Sequence, residues 1–147
     1  MLVDSKKKQL GEQAILMIAA EETKSKHSAA QVFAALVAEM NMRGTSVYRA
    51  GNTIFLMHHA KGRVGTFRAL NADTARNYLE NSYEFIQAAY KMGFDTLMTE
   101  FEDPTIINIF KAISRNPPQD QMGYRAEKTN DGYRVTVKLG PKREDRE

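Results

Sequence analysis

From Thr45 to Leu70 the hydrophobic pattern stops repeating every three or four residues and becomes strand-like, and this switch constrains the fold more than any other feature of the chain. "TSVYRA", "NTIFLMHH" and "RVGTFRAL" are short runs rich in β-branched and aromatic residues, separated by Gly51-Asn52 and by Lys61-Gly62. Runs joined by so little sequence pair as antiparallel neighbours, because a parallel pairing needs a long crossover. The segment therefore predicts a three-stranded meander.

Helical periods flank it on both sides. Residues 5–43 read as a helical hairpin: Leu10, Ala14, Met17 and Ile18 form the stripe of a first helix. A second helix opens at "SAAQ", where Ser28 and Gln31 suit a capping box, and carries Phe33, Leu36, Val37 and Met40 before Gly44 stops it. After the meander, "RALNADTARNYLENSYEFIQAAYKMGF" predicts a long helix with Leu79, Tyr83, Ile86 and Tyr90 on one stripe and Gly93 at its end. "FDTLMTEF" reads as a buried strand, and "DPTIINIFKAISRN" as a helix with Pro104 in its first turn and Ile106, Ile109, Phe110 and Ile113 inward. "GYRAEK", "TNDG" and "GYRVTVKL" close as a hairpin. The expected fold class is α+β with one mixed sheet: a sheet with two helices over 45–139, and a charged tail over 140–147. With 147 residues, 42% of them hydrophobic, a single domain over 1–147 is expected.

Composition removes several function classes. The absence of cysteine excludes disulfides, thiolate metal sites and cysteine nucleophiles, and fits a reducing compartment. His58 and His59 are adjacent at the expected end of a strand, so their side chains take opposite faces, and His27 is the only other histidine; no metal is expected. Neither a signal-peptide pattern nor an apolar run of roughly 18–20 residues occurs, so no membrane association is expected. The net charge of +3 comes from 21 Lys and Arg set against 18 Asp and Glu, too balanced for a nucleic-acid footprint. Such binding is an outside reading, resting on Lys6 to Lys8 with Arg125, Lys128, Arg134 and Lys138. The alanine pairs Ala19-Ala20, Ala29-Ala30 and Ala34-Ala35 allow close helix approach, which suits a protein partner or self-association.

The order helix pair, meander, helix, strand, helix, hairpin resembles the GNAT (Gcn5-related N-acetyltransferase) fold. The family's first strand is missing or reduced to "MLVD". The second half, "KMGFDTLMTEFEDPTIINIFKAI" followed by "GYRAEKTNDGYRVTV", is similar to small GNAT-like proteins of tailed bacteriophages, internal virion proteins among them. The resemblance implies a sheet that splays where acetyl-CoA inserts, with the pyrophosphate on a glycine-containing turn before the long helix. Here that turn, "RALNADTARNYLE", has no glycine, and Asn71, Asp73 and Thr74 look like capping residues, with Asp73 set to occupy or repel the anion site. The family's N-x-x-A-x-x-x-Y-x-x-x-G-F pattern, laid from Asp103, puts Phe110 at the tyrosine.

These two losses favour a non-catalytic phage protein, virion-associated or host-interacting, found in the infected cell's cytoplasm or in the virion, with no cofactor. The alternative is an acetyl-CoA-dependent N-acyltransferase with a diverged turn. On that reading the cofactor would meet Leu70, Asn71, Ala72, Thr74, Ala75 and Arg76, and Glu100, Glu102 or His58 would act as general base.

Overall fold

The computed structural model describes residues 9–24, 26–101, 106–115 and 123–139. The chain opens with helices α1 (Glu12–Thr23) and α2 (Ala29–Met40) and continues through strands β1 (Thr45–Ala50), β2 (Thr53–Lys61) and β3 (Val64–Asn71). Helix α3 (Ala75–Lys91), strand β4 (Thr96–Phe101), helix α4 (Ile106–Arg115) and strands β5 (Gly123–Lys128) and β6 (Tyr133–Lys138) complete it. The strands form one mixed sheet in the order β1-β2-β3-β4-β6-β5. The α+β layout expected from the sequence is the one observed. "MLVD", Glu102, Pro104 and the tail after Leu139 lie outside the described residues.

β2 explains why "TIFLM" reads as an unbroken apolar run: it is covered on both faces. Ile54 and Leu56 enter a cluster with Ile15, Leu16, Ala19, Leu36 and Leu70 beneath α1 and α2. Phe55 and Met57 point the other way, into the cluster built on α3 and α4 with Phe85, Leu97, Phe110, Val135 and Val137. Phe55 and Phe85 stack with ring centroids 4.2 Å apart, so Phe85 is the centre of the inward face of α3. Leu79, Tyr83 and Tyr90 are only partly buried around it.

Two details depart from the sequence expectation. Helix α1 begins after Leu10 and buries Ile15, Leu16, Ala19 and Ala20, while Met17 is 55% exposed. A mostly apolar helix permits more than one stripe, and packing against β2 and β3 selects this one. The second hairpin turn falls at Gly62-Arg63, since Lys61 pairs with Val64. The capping box at Ser28 and Gln31 is present, and Thr74 caps α3 through Asn77 N–H at 3.2 Å.

The sheet is incomplete at its centre. β3 and β4 run parallel, yet their ladder covers only Val64–Thr66 against Thr96–Met98. β4 meanwhile stays paired with β6 from Thr96 to Phe101. Beyond Thr66 and Met98 the two central strands diverge, and a cleft opens between them.

Candidate functional site

The cleft has two parts, a histidine side and an aromatic side, each of about 390 Å³. The histidine side is lined by His58, Thr66, Arg68, Met98, Glu100 and Arg134, with Phe67 and Thr99 between the two parts. Strand alternation creates the division, because Arg68 and Glu100 leave the sheet on the α1/α2 side while Phe67 and Phe101 point toward α3 and α4.

His58 is held on both ring nitrogens. Thr45 Oγ1 lies 3.0 Å from Nδ1, and Glu39 Oε2 lies 3.0 Å from Nε2. The second carboxylate oxygen of Glu39 accepts from Arg68 Nη1 at 2.9 Å. Glu39 is the only charged residue of α2 and stands in its last turn, where the helix dipole disfavours an anion. Its side chain is 17% exposed, and the histidine and arginine compensate it there. On the far wall Arg134 Nε and Nη2 both donate to Glu100 Oε2 at 2.8 Å.

The aromatic side is lined by Phe67, Ala69, Tyr78, Phe101, Ile106 and Phe110 together with the polar side chains of Thr23, Arg68, Thr99 and Glu100. Burial pushes the Tyr78 hydroxyl up to about 12 from its ordinary 10.0.

Between β3 and α3, a closed polar network replaces the glycine turn. Asp73 Oδ2 accepts from Asn52 N–H and from Asn81 Nδ2, each at 2.8 Å. Asn71 Oδ1 accepts from Thr53 Oγ1 at 2.8 Å and from Asp73 N–H at 3.1 Å. Ala72 N–H donates to Asn52 O at 2.9 Å. The carboxylate of Asp73 is thus turned onto the β1–β2 turn and does not cap α3. Only Thr74 does.

Of the residues singled out in the sequence, His58 and Glu100 meet at one cleft, and Glu102 lies outside the described residues. His58 is not at a strand end, since β2 runs on to Lys61. Leu70 is buried beneath α1, Asn71 and Ala72 are engaged as described, and Thr74, Ala75 and Arg76 are exposed at the start of α3. Arg134 is committed to Glu100, while Lys6 to Lys8 lie outside the described residues. Sequence reasoning missed Glu39, Thr45, Arg68 and Tyr78. Glu39 did carry a signal, a lone anion in an apolar helix; the others become visible only when strands pair. Among the described residues no group of three or more His, Asp or Glu side chains is arranged to hold a metal, and no helix is long and apolar enough to cross a membrane.

No protein-family model and no curated protein matches the chain. Solved structures do. The chain is similar to an uncharacterized protein from Bacillus halodurans, with TM-score 0.59 and 10% identity over 89% of this chain and 81% of that one. It is similar to the ribosomal-protein-S18-alanine N-acetyltransferase from Escherichia coli, with TM-score 0.51 and 13% identity over 88% and 89%. It is also similar to an aminoglycoside 6'-acetyltransferase type Ii, with TM-score 0.54 and 10% identity over 88% of each chain. At such identities the likeness concerns architecture: the fold is GNAT-like.

Proposed function

We propose that the cleft between β3 and β4 binds an acyl thioester of the acetyl-CoA class and that the chain transfers the acyl group to an amine. The observation that carries this reading is the strand splay itself, which opens beside a histidine backed by a carboxylate. Diverging strands present unpaired backbone groups to an extended, amide-bearing ligand, as a sheet edge does to a peptide. The thioester, when bound, supplies the acyl group and a thiolate leaving group.

The chain's residues do the rest. Glu100 is the group on the histidine side that can take directly the proton the amine loses as its nitrogen bonds to carbon, whereas His58, engaged on both ring nitrogens, takes it only by way of the Thr45 hydroxyl. Glu39 fixes the imidazole ring and stabilises it once protonated, and Arg134 orients Glu100. The fit to the cofactor is partial. The cleft suits the thioester-bearing arm, whereas the turn before α3 has spent Ala72 N–H and Asp73 N–H inside the fold, so a pyrophosphate would meet only Thr74 to Arg76.

That partial fit is also what favours a second reading, a non-catalytic GNAT-like phage protein, virion-associated or host-interacting, whose cleft receives a protein segment. Calorimetric titration with acetyl-CoA separates the two. Binding in the micromolar range, followed by transfer to an amine that His58→Ala abolishes, is the expected result. No heat at millimolar ligand would remove the enzyme reading and turn the search to protein partners.

A further inference from the structure

The hairpin that ends the described chain holds reactive groups far from the cleft's own chemistry. Its loop, Thr129 to Gly132, joins β5 to β6 between the paired ends Lys128 and Tyr133. Asp131-Gly132 is the one place in the sequence where an Asn or Asp precedes a glycine; every other Asn or Asp is followed by a residue with a side chain. An aspartyl carboxyl and the amide nitrogen of the next residue can close a five-membered ring. A Cβ on that next residue hinders the approach, and glycine has none.

The loop treats the two reacting groups differently. Asp131 is exposed, and its carboxylate has no hydrogen-bond or ion-pair partner among the described residues. The Gly132 nitrogen is engaged: its N–H donates to Thr129 Oγ1 at 3.1 Å, while Thr129 N–H donates to Gly132 O at 2.8 Å. To attack Asp131 Cγ, the nitrogen must give up its bond to that hydroxyl. The electrophile is open to solvent, and one side chain restrains the nucleophile.

We propose that Asp131-Gly132 is a site of spontaneous isoaspartate formation and that the Thr129 hydroxyl sets its rate. The Gly132 nitrogen bonds to Asp131 Cγ, and one carboxyl oxygen leaves as water with the amide proton and the carboxyl proton. Water then adds to the Asp131 main-chain carbonyl of the succinimide, and cleavage of its bond to nitrogen leaves the chain running through Cβ and Cγ. The mass is unchanged and the main chain is one carbon longer. That carbon enters beside the Lys128–Tyr133 pair and one pair from Glu127 and Arg134, so it works against the register that brings Arg134 to Glu100. The inference is independent of acyl transfer in the cleft.

Trypsin, cutting after Lys128 and Arg134, releases residues 129–134 as one peptide. The isomer is a second species of equal mass that protein-isoaspartate methyltransferase labels. Folded wild-type chain, kept for weeks at neutral pH, is expected to accumulate it in this peptide. Thr129→Val should do so roughly fivefold faster, Thr129→Ser at the wild-type rate, and Gly132→Ala far more slowly. If the wild-type chain forms no second species while the free 129–134 peptide converts, the site is overturned. Equal rates for Thr129→Val and the wild type would overturn the role of the hydroxyl. Amide hydrogen exchange of fresh Thr129→Val separates that role from an opened hairpin: protection of β5 and β6 equal to the wild type supports the inference, and loss across both strands overturns the hydroxyl's specific hold on Gly132. In the isomerised fraction, exchange in β6 is expected to quicken, and unchanged exchange would overturn the effect on register.

Discussion

Two polar clusters sit on the same pair of strands, one where Thr53 pairs with Asn71 and the other where His58 pairs with Thr66. The first joins Asn52, Thr53, Asn71, Asp73 and Asn81 between β3 and α3, and its bonds are made within the fold, to one another and from Leu10 N–H to Asn52 Oδ1. The second joins Thr45, His58, Glu39 and Arg68, and lies along an open cleft facing Glu100 and Arg134. Both are asparagine-, carboxylate- or histidine-rich clusters of the kind that marks active sites. The difference is where the hydrogen-bonding capacity goes: into the fold in one case, toward a ligand-sized space in the other. A closed network makes architecture, and the same chemistry beside a cleft is available for function.

The largest expected effect breaks the closed cluster. Gly51 has φ +56°, and a Cβ there would lie 2.8 Å from Asn81 Oδ1 and 3.0 Å from Asp73 Oδ2. Gly51→Ala is expected to cost about 2–4 kcal/mol, combining backbone strain with the displaced network, and to lower the thermal midpoint on the order of 10 °C. Adding Asn81→Ala removes part of the clash, so the double variant should cost less than the sum of the two; strict additivity in a melting series would show that Gly51 and Asn81 are not coupled.

Next comes the open cluster, where the effect should appear in rate and not in stability. Glu39→Gln leaves His58 and Arg68 without their carboxylate. Acyl transfer is expected to fall roughly tenfold or more, in line with the lower range of acid–base contributions, while stability changes by about 1 kcal/mol or less. A rate that stays level in steady-state kinetics would move this cluster to the architectural side of the comparison. The smallest effect is expected at the exposed wall. Glu100 is 62% exposed, so Arg134→Ala should change stability by no more than about 1 kcal/mol, with a difference that shrinks as salt is added during denaturant titration.

Local pattern reveals the elements well and the site poorly. The meander, the capping box at Ser28 and the long helix ending near Gly93 all follow from neighbours in sequence. The stripe of α1 was misread because Ile15, Leu16, Met17 and Ile18 are consecutive apolar residues, and only contact with β2 and β3 decides that Met17 faces out. Asp73 looked like a helix cap and instead anchors Asn52, a residue on the β1–β2 turn. Among the functional candidates, Glu39 and His58 are 19 positions apart and Arg68 is 29 from Glu39. No periodicity links such residues; strand register and the seating of α2 bring them together.

What the sequence by itself determined is the succession of elements, the absence of thiol chemistry and the glycine-free turn before α3, because each depends on residue type and near-neighbour spacing. What only the tertiary structure decided is that β3 and β4 part after Thr66 and Met98, that Glu39 backs His58 beside the opening, and that Tyr78 joins Phe67, Phe101 and Phe110 at the aromatic side of the cleft. These depend on how distant segments pack. The free energy that fixes them comes from burying the two clusters on either face of the sheet, and that burial exists only once the chain has closed on itself.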